Sequence, residues 1–241
     1  MAKLYFRYGA MNSGKSTALL QAAYNYEERG LRVLLAKPLI DTKGADQIES
    51  RLGVSRKVDF LIGPDDHARD LFAEHQARVR YTHDELAGLS RPPAEVACLL
   101  IDEAQFLTAE QVDDLLRIAV LDGIPVLAYG IRTDFLTHAF PGSRRLLDIA
   151  HSVEELKTIC RCGRKALFNA RLVDGRFVFE GDQVAIDGAE VTYESLCAEC
   201  YLRESGGRQG VNRTTDHSVW CVVLWRGRAR NDDRRGAPFW T

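Results

Sequence analysis

The chain has almost no surplus of either charge. Its 32 Lys and Arg stand against 34 Asp and Glu, leaving a net charge of −2 over 241 residues. Nothing in that balance calls for nucleic acid or another polyanion as partner. No apolar stretch approaches the length of a membrane span. The first residues lack a basic segment followed by a long apolar run, so a signal peptide is not expected and retention in the cytoplasm is. There are no internal repeats. An Asn-Lys-x-Asp element is missing too, which argues against a guanine-specific GTPase.

What is present begins at residue 9. Gly9-Ala10-Met11-Asn12-Ser13-Gly14-Lys15-Ser16 fits G-x-x-x-x-G-K-[ST], with the β-rich run 4–8 before it and a helix-compatible run 17–29 after it. Strand, glycine loop and helix form the context of a phosphate-binding loop. Its backbone N–H groups and the helix N-terminus favour phosphate oxygens. Lys15 has the reach for the β- and γ-phosphates, and Ser16 has a hydroxyl for Mg2+. A nucleoside triphosphate is the expected ligand.

Further strand-like runs fall at 32–37, 96–101 and 125–130, with a weaker one at 58–62. Helical patterns lie at 17–29, 65–81 and 108–122, and a last one at 143–150. Strands alternating with helices predict a parallel sheet covered on both faces. The unbroken apolar character of the runs agrees with burial on both sides. Ligands of such a sheet sit at the carboxyl ends of its strands. There the run 96–101 enters Asp102-Glu103-Ala104-Gln105-Phe106. Apolar residues ending in Asp have the form of a second nucleotide motif, in which Asp102 would hold Mg2+ and Glu103 would serve as a base. The alternative is an ordinary acidic strand end before a helix.

Six cysteines are present, four of them in two tight pairs, Cys160-x-Cys162 and Cys197-x-x-Cys200. Two such pairs in a nucleotide-binding protein point to zinc rather than disulfides, and four thiolates make a closed structural site. Short β-like pieces at 166–173, 176–179 and 183–186 lie between the pairs. They suggest a lobe too small to hold a core without the metal. Cys98 reads as a small buried hydrophobe, and Cys221 carries little information. After residue 203 the chain is rich in Gly and Arg around an apolar island, Trp220 to Trp225. The expected organisation is a nucleotide-binding domain over 1–156, a zinc lobe over 157–202 and a disordered tail over 203–241. The fold class is α/β, a P-loop, RecA-like sheet with a small zinc lobe. Asp102-Glu103-Ala104-Gln105 also resembles a helicase motif, but only about one motor domain's length of the chain has this pattern, which argues against a two-domain helicase.

Taken in order, the phosphate loop, Asp102 to Phe106, Tyr129-Gly130-Ile131-Arg132-Thr133-Asp134-Phe135 and Leu156-Lys157-Thr158-Ile159-Cys160-Arg161-Cys162-Gly163 resemble the zinc-containing, type II thymidine kinases. Cys-x-Cys in the first pair is similar to the bacterial branch. The resemblance covers residues 1–202 and leaves the tail outside. It implies transfer of the γ-phosphate of ATP to the 5′-hydroxyl of thymidine or deoxyuridine, with Mg2+ and a structural Zn2+. It also implies a homotetramer, inhibition by thymidine triphosphate and a role in supplying DNA synthesis.

By the same resemblance, Glu103 is the general base and Ser16 and Asp102 organise Mg2+. Gly9 through Ser16 and Asp102 through Gln105 bind ATP. A lasso loop over 184–193 holds the nucleoside, with Gly188 and Tyr193 matching best. Phe106 and Phe135 read from the residues alone as core packing; the resemblance assigns both to the nucleoside. Met11 is placed to approach the base methyl, or else packs in the core. One departure is Asp41-Thr42-Lys43 where the family carries Asp-x-Arg. Lys43 lacks the bidentate fork of arginine, and Arg51, in Ser50-Arg51-Leu52-Gly53, is the other candidate cation. The rival reading is a RecA-like ATPase whose zinc knuckle and basic tail bind nucleic acid.

Overall fold

The computed structural model describes residues 1–39, 46–86, 95–181 and 191–207. Asp41, Thr42, Lys43, the run 183–186, Gly188, Cys221 and the Trp220–Trp225 island lie outside the described residues. No helix of the described chain is long and apolar enough to cross a membrane.

The elements follow the hydrophobic pattern. In chain order they are β1 (Leu4–Tyr8), α1 (Lys15–Glu27), β2 (Arg32–Pro38), β3 (Gln47–Glu49), β4 (Ser55–Lys57), β5 (Phe60–Ile62), α2 (Ala68–Leu86), β6 (Val96–Ile101), α3 (Ala109–Val120), β7 (Val126–Gly130), α4 (Pro141–Ile149) and β8 (Ser152–Glu155). A second set follows: β9 (Thr158–Ile159), β10 (Lys165–Ala166), β11 (Phe168–Val173), β12 (Arg176–Val178), β13 (Val191–Leu196) and α5 (Ala198–Glu204). One sheet of six strands runs in the order β5-β2-β6-β7-β1-β8, and all its pairings are parallel.

Burial on both faces explains the strand sequences. On one face Leu4, Phe6, Leu34, Ala36, Leu99, Ile101, Val126 and Ala128 pack against Phe72 of α2, Leu115 and Ile118 of α3 and Leu146 of α4. On the other, Val33, Leu35, Cys98, Leu100, Leu127 and Tyr129 meet Leu19, Leu20 and Ala23 of α1. Neighbouring residues of one strand serve opposite cores. Cys98 sits in the second core with no exposed surface, as a small hydrophobe does.

Three differences from the sequence reading have local causes. β8 was not expected, because Ser-Val-Glu-Glu lacks an apolar run; its residues are mostly exposed, as an edge strand allows. α4 starts at Pro141, two residues ahead of the expected 143. Proline at the first helical position needs no N–H partner, so it opens a helix there instead of breaking one. Residues 191–193, read as the end of a loop, open strand β13 and pair with β11, Tyr193 standing opposite Arg171. The alternation Val191, Tyr193, Ser195 is too polar to announce a strand by hydrophobicity.

The elements after β8 form a three-stranded antiparallel sheet, β12-β11-β13, and the short pair β10-β9. Ala166, Ala170, Leu196 and Tyr201 make a small core with the cysteines, flanked by Phe168, Phe177 and Phe179. Residues Met1–Gly210 behave as one compact unit.

α3 is fastened by a capping box. Thr108 Oγ1 accepts from Gln111 N and the Gln111 side chain accepts from Thr108 N. Ahead of it, a 3-10 turn over Ala104–Phe106 lies directly against the start of α4. A Cβ at Gly142 would meet the carbonyl oxygens of Ala104, of Leu107 at 2.7 Å and of Gln105 at 3.0 Å. All three are backbone atoms with little room to retreat. Gly142→Ala is expected to destabilise the protein by about 1–3 kcal/mol. Chemical denaturation checks this; an unchanged unfolding midpoint would show that the turn is free to move.

Candidate active site

The carboxyl edge of the parallel sheet collects the motif residues. After β1 the chain forms the loop 9–14 and enters α1, with Gly14 as its N-cap at φ 76°. With no cap side chain, the first-turn N–H groups are left to an anion. Gly9 N donates to Gly130 O at 3.2 Å, tying the loop to the end of β7. The Lys15 ammonium is buried and donates to Ala10 O at 3.0 Å. Burial lowers its pKa; Glu103 and Asp102 oppose that, and Arg51 adds to it.

Asp102 directly follows β6 and is buried. Ser16 Oγ donates to its Oδ2 at 3.3 Å. Burial first, and the neighbouring Glu103 second, push its carboxyl up to about 7. A carboxylate and a hydroxyl side by side at a strand end are the hard oxygen ligands that Mg2+ takes, so the residues fit that ion. Glu103 follows in the left-handed region at φ 51°. Its Oε2 accepts from Gln105 Nε2, and Gln105 Oε1 accepts from Ile131 N at 3.1 Å. Ala104 and Gln105 are buried.

Met11, Lys15, Ser16, Arg51, Leu52 and Glu103 line one cleft of about 740 Å3. Arg51 comes from the β3–β4 turn, whose Ser50 Oγ lies 2.6 Å from Thr17 Oγ1. A second cavity of about 680 Å3, beside Arg69, Glu95 and Asp122, gathers none of the motif residues.

The aromatic candidates divide. Phe106 is half-buried, edge-on to Phe140 with centroids 5.3 Å apart. Phe135 is 1% exposed, and the Arg171 guanidinium lies 3.7 Å over its ring. Arg171 Nε also donates to Tyr193 Oη at 3.2 Å. Tyr193 and Phe135 thus share one cation, while Gly188 lies outside the described residues.

Sequence reasoning missed the contacts that join the second sheet to the phosphate loop. Asn169 on β11 accepts from Met11 N at 2.7 Å and donates to Thr133 O at 3.1 Å. Ser195 on β13 donates to Met11 O. Both polar groups of the Met11 backbone are therefore held by the other sheet. A buried Asn in a strand is the sole sequence signal for this, and it does not name its partners.

The cysteine pairs meet. Ligand atoms of Cys160, Cys162, Cys197 and Cys200 all lie within 4.8 Å of one another, Cys162 Sγ and Cys197 Sγ 3.6 Å apart. The Arg164 backbone N–H draws the Cys162 thiol down to about 6, whereas its hydrogen bond with Cys162 pushes Cys200 up to about 12. A dication in their midst would replace the protons of all four, the behaviour of a structural metal site.

Comparison with known proteins agrees with the geometry. The thymidine kinase family model matches residues 2–201. The chain belongs to the thymidine kinase family. A thymidine kinase of Legionella pneumophila is 47% identical over 210 residues, covering 86% of this chain and 93% of the relative. One from Chromobacterium violaceum is 46% identical over 203 residues, 83% of this chain and 98% of its own. One from Idiomarina loihiensis is 46% identical over 211 residues, 86% of this chain and all of its own. The family match ends one residue after Cys200, within α5.

Two outcomes follow from the geometry. Cys197→Ser is expected to lower bound metal from about one per chain to near zero, and to lower Tm. Elemental analysis beside thermal unfolding reads both, and retained metal would overturn the four-thiolate site. For Asp102, the folded carboxyl at about 7 lies above the ordinary 3.8. Stability from this group is complete below the ordinary value and is lost as pH rises through the folded one. Asp102→Asn should therefore stabilise magnesium-free, ligand-free protein by an amount that grows between about pH 4 and about pH 8. A pH-independent difference in denaturation midpoint would contradict the burial argument.

Proposed function

We propose that the chain transfers the γ-phosphate of ATP to the 5′-hydroxyl of thymidine, giving thymidine 5′-monophosphate and ADP. The observation that carries this is the convergence of Lys15, Ser16, Asp102 and Glu103 at one sheet edge in a chain of this family. Phosphoryl transfer asks the protein mainly for positioning and for charge opposite the moving group, and these residues have that chemistry.

The loop Gly9 to Ser16 takes the phosphates. Lys15, parked on Ala10 O, exchanges that carbonyl for phosphate oxygen without leaving its pocket. Mg2+, held by Ser16 and Asp102, would neutralise charge on the phosphates. Glu103, which lines the cleft, receives the 5′-hydroxyl proton. Arg51, in the same cleft, offers a second cation to the transferring group.

Thymidine is assigned to the side of the cleft towards the second sheet. Phe106 offers a partly open ring, Tyr193 joins Phe135 through Arg171 at the back of the pocket, and Gly188, outside the described residues, is assigned by the family alone. The four thiolates suit zinc: a Zn–S distance of about 2.3 Å gives a tetrahedral edge of about 3.8 Å, close to the observed 3.6 Å. The remaining assignments rest on the family: function as a homotetramer, a cytoplasmic location, and division into 1–156, 157–202 and a separate tail from 203.

Purified protein with Mg–ATP and radiolabelled thymidine tests the reaction, beside deoxyuridine, ATP-only and single-stranded DNA controls. Labelled monophosphate is expected. ATP hydrolysis that rises with DNA, with no labelled product, would instead favour the ATPase reading. Glu103→Gln is expected to keep ATP binding and to lose about 10²-fold or more of turnover, the scale of general-base catalysis. Turnover near wild type would remove Glu103 from the role of base.

A further inference from the structure

Gln105 belongs to the nucleotide motif by sequence, yet its side chain does not lie open to a nucleotide. It is 1% exposed, inside the turn that follows Glu103. Its amide spans two elements. Nε2 donates to Glu103 Oε2, and Oε1 accepts from the N–H of Ile131, the residue just past β7.

These partners fix the amide in one orientation. The Ile131 N–H can only donate, so the oxygen must face it, which places the NH2 on the carboxylate. A flipped amide would set donor against donor at Ile131 and acceptor against acceptor at Glu103. The site is also shaped for this side chain. A Cβ at Gly130 would lie 2.6 Å from Gln105 Oε1 and 3.1 Å from Gln105 N. Glycine at the last position of β7 is what lets the amide reach the strand end. Meanwhile Glu103, at φ 51°, has a backbone that few non-glycine residues adopt, and the Gln105 amide links its carboxylate to the residue just past β7.

We infer that Gln105 is the positioning residue of Glu103: wedged against Gly130, it ties the Glu103 carboxylate to the end of β7 and sets where the base meets the attacking hydroxyl. The inference rests on Glu103 being the base. It also gives the family's Asp102-Glu103-Ala104-Gln105 segment a division of labour in this chain, with the last residue serving the second rather than the nucleotide.

The test is steady-state kinetics on the full chain, with ATP and thymidine each varied, for Gln105→Met, Gly130→Ala, the Gln105→Ala single variant, its double with Gly130→Ala, and Glu103→Gln. Methionine preserves volume while removing both polar contacts. Gln105→Met is expected to lower kcat about 10²-fold, the scale on which misplacing a reacting group acts, with both KM values nearly unchanged. Gly130→Ala should give the same split by pushing the amide away. In the Gln105→Ala background it should add less than it costs alone, because the closest clash, with Oε1, is gone and only the 3.1 Å approach to the backbone N remains. Wild-type kcat in Gln105→Met, or a raised KM in place of a lowered kcat, would overturn the inference. So would full additivity of the two substitutions, which holds even if Gln105→Met folds poorly. Glu103→Gln separates the two levels. If it turns over normally, the base assignment fails; if it is inactive while Gln105→Met is active, only the positioning role fails.

Discussion

The central strands are buried on both faces, and the rest of the structure is arranged around that constraint. Leu34 and Ala36 serve one core and Val33 and Leu35 the other, so β2 has no side free for a polar ligand. The same holds for β6 and β7. Polar chemistry is confined to the strand ends, where backbone N–H groups and carboxylates emerge together. Phosphate loop, Asp102, Glu103 and Ile131 share one edge because the sheet leaves them nowhere else.

That edge is supported from two directions. From inside, β7 receives Gly9 N at Gly130 O and presents Ile131 N to Gln105. From outside, Asn169 and Ser195 hold the Met11 backbone between them. Ser195 lies two residues before Cys197, and Tyr201, next to Cys200, donates its hydroxyl to Phe135 O at 2.6 Å. The cysteine cluster, the loop 9–14 and Phe135 are thus separated by few bonds. A metal held by the four cysteines would stiffen the loop 9–14 as well as its own lobe.

Legibility in the sequence tracked how local the physics was. The phosphate loop and Asp102-Glu103 are contiguous, and their chemistry is written in residue type. β6 and β7 announce themselves because a doubly buried strand must be apolar. The cysteine pairs are legible because thiolates at such spacing serve few other purposes. β8 and β13 are half-solvated, so their sequences carry no apolar run. Asn169 and Ser195 were invisible as partners of Met11, since 158 and 184 residues separate the pairs and no pattern within either segment encodes the other. Gln105 was legible as part of a motif but not in its partners, which depend on a glycine 25 positions away.

The edge strand β8 bears on how the chain avoids its own kind. It closes one end of the sheet and pairs with β1 alone among the described residues, leaving a row of backbone groups able to template another strand. Its sequence, Ser-Val-Glu-Glu, answers this with charge. Glu154 is held by Arg7 at 2.9 Å and Glu155 by Lys165. A strand arriving from another molecule would have to strip water from these ion pairs before it gained a hydrogen bond. The polarity that hid β8 from the sequence reading is thereby a guard against aggregation at the sheet's open flank.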